Sequence, residues 1–148
     1  MAKVEASVVI NRPIDEVFTF ATTPHNAPLW QSGVLEATQT SPGPVAVGTT
    51  LHYVMKFLGR RLDIQTVITV YTPHRQAAFE QTSGPFPSFV ATLLCEPADG
   101  GTRVTGITEV ESGGFFKLGE PILMRMVQRQ SQGDFETLKD LLEAQPSA

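Results

Sequence analysis

FFKLGEPILMRMVQRQSQGDFETLKDLLEA, running from Phe115 to Ala144, is the stretch on which the fold turns. It is the only segment long and periodic enough to make a long helix. Pro121 follows its opening turns, and after it no proline or other breaker comes until Pro146, apart from Gly133. From Ile122 to Glu143 good helix formers dominate: Leu, Met, Arg, Gln, Glu and Lys. At roughly 100° per residue, Ile122, Leu123, Met126, Val127, Leu138 and Leu141 share one arc, with Met124, Phe135 and Leu142 on its edge. Arg125, Arg129, Gln132, Glu136, Lys139 and Glu143 fall opposite. A helix with one apolar face needs a broad surface to lie on. Everything upstream reads as strand, so that surface is a sheet.

Gln130 and Asp134 break the pattern by falling near the middle of the apolar arc, with Gly133 at its margin. The more ordinary arrangement has them bonded to backbone or an arginine where helix meets sheet, because buried polar groups are usually satisfied. The other arrangement turns this part of the face toward a wet cavity.

Upstream, Val4 to Asn11 alternates as a strand, with Val4, Ala6, Val8 and Ile10 on one face. Pro13 with Asp15 and Glu16 behind it opens a short helix, which ends by Thr22-Thr23-Pro24. His25 to Gln31 adds a helical turn anchored by Leu29 and Trp30, and Val34 to Thr40 is a strand. After the Ser41-Pro42-Gly43-Pro44 loop, Thr49 to Leu58 carries Leu51, Tyr53, Met55 and Phe57 on one face. A turn at Gly59-Arg60 returns the chain as Leu62 to Thr72. Gln76 to Thr82, Phe89 to Glu96 and Thr102 to Glu111 follow, the last two joined through Ala98-Asp99-Gly100-Gly101. Ser112-Gly113-Gly114 releases the chain into the long helix. Short connections make such a sheet antiparallel. A curved sheet wrapped on a helix leaves a hollow between them, and the two short helices can close one end.

Four stretches carry a family resemblance: VEASVVINRPIDEVFTFATTPHNAPLWQSGV, VGTTLHYVMKFLGRRLDIQTVITVYTPHRQAAFEQTSGPFP, EPADGGTRVTGITEVESGG and FETLKDLLEA. In this order, spanning Val4 to Ala144, they resemble the START-like (SRPBCC) superfamily of helix-grip proteins, and within it the polyketide cyclase/dehydrase group. The resemblance implies an α+β fold like that of the birch pollen allergen. It has about seven antiparallel strands curved around a long C-terminal helix, with two short helices after the first strand. Members include aromatase/cyclases, lipid carriers and hormone receptors, so the fold alone does not settle the function.

Composition sets the outer bounds. The 148 residues fit one START-like domain, residues 1–148, with 41% hydrophobic and 18% charged side chains. A net charge of -4 with scattered Lys and Arg argues against nucleic-acid binding. One cysteine, Cys95, forms no internal disulfide, and the N-terminus lacks a signal-peptide layout; a cytoplasmic protein is the expectation. No stretch approaches the length of a membrane span. Oligomeric state is not legible.

The chemistry-bearing motifs are sparse. There is no phosphate loop, HExxH, GxSxG or CxxC. His52 and His74 read as outward-facing and Cys95 as a small core residue. No metal site and no cofactor are expected. A cavity lining is expected from Trp30, Tyr53, Met55, Phe57, Phe79, Phe89, Leu93, Thr108, Ile122, Met126 and Gln130, with Trp30 and Phe86 at its rim and Gly106 making room. The first function this supports is binding of a small, mostly apolar molecule such as a lipid, a polyketide-like aromatic or an isoprenoid. The second is a cyclase or dehydratase, with Asp134, Tyr53 and His25 as the available proton donors and acceptors. The third is a protein-interaction role with an incidental cavity.

Overall fold

A computed structural model describes residues 2–111 and 119–145. The alternating segments become seven strands: β1 (Ala2–Ile10), β2 (Val34–Gln39), β3 (Thr50–Phe57), β4 (Arg60–Thr72), β5 (Gln76–Ser83), β6 (Ser88–Ala98) and β7 (Gly101–Glu111). Between β1 and β2 lie α1 (Ile14–Thr22), a 3-10 turn (Pro24–Asn26) and the one-turn α2 (Ala27–Trp30); α3 (Glu120–Ala144) closes the chain. All neighbours pair antiparallel in one sheet of order β1-β7-β6-β5-β4-β3-β2. This is the α+β helix-grip architecture. Register shifts at Val34/Glu36, Gln65/Thr66 and Ile68/Val70 mark the β2, β4 and β5 side of the sheet, and such bulges increase local bend and twist.

The sequence places the β3–β4 turn at Gly59-Arg60; it sits one residue earlier. Leu58 (φ 51°) and Gly59 (φ 77°) form the turn, and Arg60 is already paired with Phe57. The β6–β7 hairpin turns on Asp99 (φ 49°) and Gly100 (φ 76°), the left-handed pair such a two-residue turn requires.

An edge strand exposes unpaired backbone groups, and β1 is one of two edges. Helix α3 covers it with side chains. Gln132 Nε2 donates to the Ser7 carbonyl (2.9 Å) and Lys139 Nζ to the Val9 carbonyl (2.8 Å), while Glu143 accepts from the Asn11 amide (2.8 Å). Arg12 donates to the carbonyls of Glu143 (2.6 Å) and Gln145 (2.7 Å), partnering acceptors that a helix end otherwise leaves free. Beneath this seam lies the dry core: Ile10, Val17, Phe18, Val104, Leu138 and Leu142 are each at most 1% exposed.

The buried face of α3 differs from the arc drawn on apolar residues. Leu123, Phe135, Leu138 and Leu142 are buried, whereas Ile122 is 56% and Met126 36% exposed. The inward stripe keeps Gln130 and Asp134 but is centred farther round, toward Ser131, Phe135 and Leu142, so the arc fitted to apolar residues alone is rotated toward Ile122 and Met126. Pro121 stands in the first turn of the described helix, where a missing N–H leaves no bond unmade. The release at Ser112-Gly113-Gly114, the expected helical turns from Phe115 and the tail beyond Gln145 lie outside the described residues.

Candidate functional site

Toward its N-terminal half, α3 stands off the sheet. Two adjoining hollows lie beneath it, of about 170 Å³ and about 180 Å³. They share the walls Gln31, Val34, Met55, Ile64, Phe89, Ala91, Thr108, Ser131 and Asp134, and so form two chambers of one site.

The first chamber is closed by aromatics. Trp30, from α2, stacks on Phe135 of α3 with ring centroids 5.7 Å apart and planes 22° apart. Gly106 on β7 makes room for that arrangement, since a Cβ there would drive into the Phe135 ring. Tyr53, Phe79, Phe89, Leu93 and Thr108 complete the wall from the inner faces of β3, β5, β6 and β7. The second chamber lies toward the start of α3, among Phe57, Leu62, Phe86, Leu123, Met124, Val127 and Gln130. Phe86 and Phe89 stack there, 5.8 Å between centroids.

Polar groups enter at a few points. Asp134 belongs to both walls. Its Oδ1 accepts from the Ser32 amide at 3.0 Å, and Gln130 Nε2 donates to Ser32 Oγ at 3.4 Å. Thus the two arrangements open for Asp134 coincide: it bonds to backbone and also faces the hollow. Burial pushes its carboxyl above the ordinary carboxylate range, and the two Ser32 hydrogen bonds partly offset that rise. Burial likewise pushes the Tyr53 hydroxyl up to about 12. The Trp30 indole N–H and the Thr66 hydroxyl are buried with no hydrogen-bond partner.

Of the residues named from sequence, Trp30, Tyr53, Met55, Phe57, Phe79, Phe89, Leu93, Thr108, Gln130 and Asp134 line one chamber or both. Trp30 is a buried wall and not a rim. Ile122 and Met126 are exposed and line neither chamber. His25 is exposed on the 3-10 turn and lines neither, which separates it from Asp134 and Tyr53. His52 faces outward and meets Asp63 at 3.1 Å. Cys95 is core, its thiol pushed up to about 12 by burial, with Arg75 opposing. Thr66, Ile64 and Ser131 went unnamed in the sequence. For Thr66 the signal was present, because Leu62, Ile64, Thr66 and Ile68 alternate along β4.

Among the described residues, no three His, Cys, Asp or Glu side chains come together in a way that could hold a metal ion. No described helix is long and apolar enough to cross a membrane.

The sheet gripping a long C-terminal helix over an apolar hollow is a START-like fold. The chain belongs to the polyketide cyclase / dehydrase and lipid transport family, which matches residues 1–143. Its fold is similar to that of a START superfamily protein from Mycobacterium smegmatis, with 12% identity, a TM-score of 0.82, and 96% of this chain and 97% of that one covered. It is likewise similar to a crystallised protein of Thermus thermophilus, with 17% identity, a TM-score of 0.80, and coverage of 98% and 100%. The di-domain ARO/CYC protein BexL, of the BE-7585A biosynthetic pathway, matches at 18% identity and a TM-score of 0.74 over 97% of this chain and 47% of its own length. No curated protein matches by sequence.

Proposed function

We propose that this chain acts as one ligand-binding domain that takes up a small, mostly apolar molecule, of lipid, polyketide-like or isoprenoid character, between the sheet and the N-terminal half of α3. The observation that carries this reading is the two-chambered wall itself: aromatic and methionine side chains with a few polar interruptions. Family membership supports it. A cytoplasmic location is part of this proposal, and a single free, buried cysteine is compatible with a reducing compartment.

A thermal-shift screen against lipids, quinones, flavonoids and aromatic polyketides tests the binding. A ligand at about 100 times its Kd adds roughly 2.7 kcal/mol, which raises the midpoint by several degrees. No shift across the panel contradicts the reading.

Cyclase or dehydratase chemistry in the same hollow is the second reading. It is favoured by Asp134 and Tyr53 lining one chamber as a desolvated carboxyl and phenol. His25 is left out of it. If turnover on a bound polyketide-like substrate survives Asp134→Asn combined with Tyr53→Phe, that reading fails.

A further inference from the structure

The unpartnered polar groups of the first chamber specify what the bound molecule must offer. Trp30 and Thr66 are 7% and 2% exposed, and both line this chamber. An indole N–H can only donate, and a hydroxyl without a partner is costly to keep buried. Tyr53 pairs with Ile64 across β3 and β4, and Thr66 lies two residues from Ile64 on the same face. The phenol and the Thr66 hydroxyl are therefore diagonal neighbours on one wall. Facing that sheet wall from the helix is Asp134, already an acceptor for Ser32.

Charge narrows the choice further. Among the described residues no lysine or arginine lines the first chamber, and Lys56, at the exposed lip of the second, is the one cation in either wall. A ligand carboxylate or phosphate drawn inside would meet the Asp134 carboxyl with no buried cation to offset its own desolvation.

Resting on the binding function above, we propose that the ligand is an uncharged, largely apolar compound bearing a hydroxyl or carbonyl oxygen, seated against Trp30, Tyr53 and Thr66, and that Asp134 rejects its anionic counterparts. Fatty-acid anions and phospholipids are thereby disfavoured. A neutral apolar alcohol or ketone is the matching class.

Trp30 is the single tryptophan, so its indole N–H gives one isolated reporter signal from the wall itself. The isotope-labelled full chain is titrated with three naphthalenes that differ in one substituent: hydroxymethyl, carboxylate or methyl. The hydroxymethyl compound is expected to bind at least about tenfold more tightly than the carboxylate and to move the indole proton downfield. Asp134→Asn is expected to narrow that gap by improving the carboxylate alone. Thr66→Val, nearly isosteric and with no native partner to lose, is expected to weaken the hydroxymethyl compound several-fold and leave the methyl compound unchanged. Equal or tighter binding of the carboxylate overturns the proposal while leaving ligand binding intact. Equal losses for hydroxymethyl and methyl compounds in Thr66→Val also overturn it. If none of the three compounds binds, the binding function fails and the proposal falls with it.

Discussion

The two halves of α3 obey different rules. From Gln132 onward the helix is cemented down: Leu138 and Leu142 are fully buried, and Gln132, Lys139 and Glu143 hold the β1 edge and the residue after it. Before Gln132 it bridges a hollow, with Met124, Val127 and Gln130 over space and, among the described residues, only Leu123 buried. Two carboxylates express the contrast between seam and hollow. Glu143, bonded by Asn11 and Lys139, has its carboxyl held below the ordinary range, so its charge favours the folded state. Asp134 is desolvated and shifted the other way, so its charge opposes folding. A group that costs stability while lining a hollow is more informative about function than one that adds to it.

Core truncation draws the comparison most sharply. Leu138→Ala should cost about 2–5 kcal/mol, because it opens a cavity in packed core. Val127→Ala, already beside open space, should cost less than about 1.5 kcal/mol. Urea unfolding checks the order, and a reversal would erase the distinction between the halves.

Gly106→Ala attacks the junction. Its methyl meets the Phe135 ring, which is stacked on Trp30, so roughly 1–3 kcal/mol of overpacking is expected together with loss of ligand-induced thermal shift. Full stability with unchanged binding would show that the ring is free to yield.

Gly133→Ala sharpens the comparison from the solvent side. Gly133 is exposed, and a Cβ there would meet nothing within 4 Å. Helix propensity then adds up to about 1 kcal/mol, read as a rise in Tm with no change in ligand affinity. A drop in affinity would mean that the glycine serves helix movement over the hollow.

The smallest effect is a pair of opposite pH trends. A lowered carboxyl pKa contributes stability above the ordinary carboxyl range and loses it as pH falls through the folded value. Glu143→Gln should therefore lie below wild type near neutrality, by under about 1 kcal/mol for a carboxylate that water still reaches, and converge with it in acid. A raised pKa gives a contribution present in acid and lost as pH rises through the folded value. Asp134→Asn should match wild type in acid and melt slightly higher near neutrality. Parallel trends in a pH series of melts would contradict the assignment of the two halves.

Most of the fold was legible because periodicity records it directly. The period-two runs of β3, β6 and β7 placed Tyr53, Phe89 and Thr108 on the inner wall, and the glycines at Gly59 and Gly100 marked real turns. The site was less legible for a physical reason. A wall that must hold a ligand mixes polar with apolar residues, so a hydrophobic arc is drawn toward exposed Ile122 and Met126 and away from Ser131, while Gln130 and Asp134 read as interruptions in mid-arc. His25 looked available because it neighbours Trp30 along the chain, yet the short turn points it to solvent while Trp30 goes inward. Partner-less burial, as at Thr66, depends on three-dimensional neighbours and leaves only a faint trace in the sequence.

The most direct test follows methyl resonances of the full chain as hydroxymethyl naphthalene is added. The account expects Met55, Leu123 and Met124 to shift in a saturable way while Leu138 and Leu142 stay fixed. Shifts confined to Ile122 and Met126 on the outer surface, or equal shifts at Leu138 and Leu142, would contradict it.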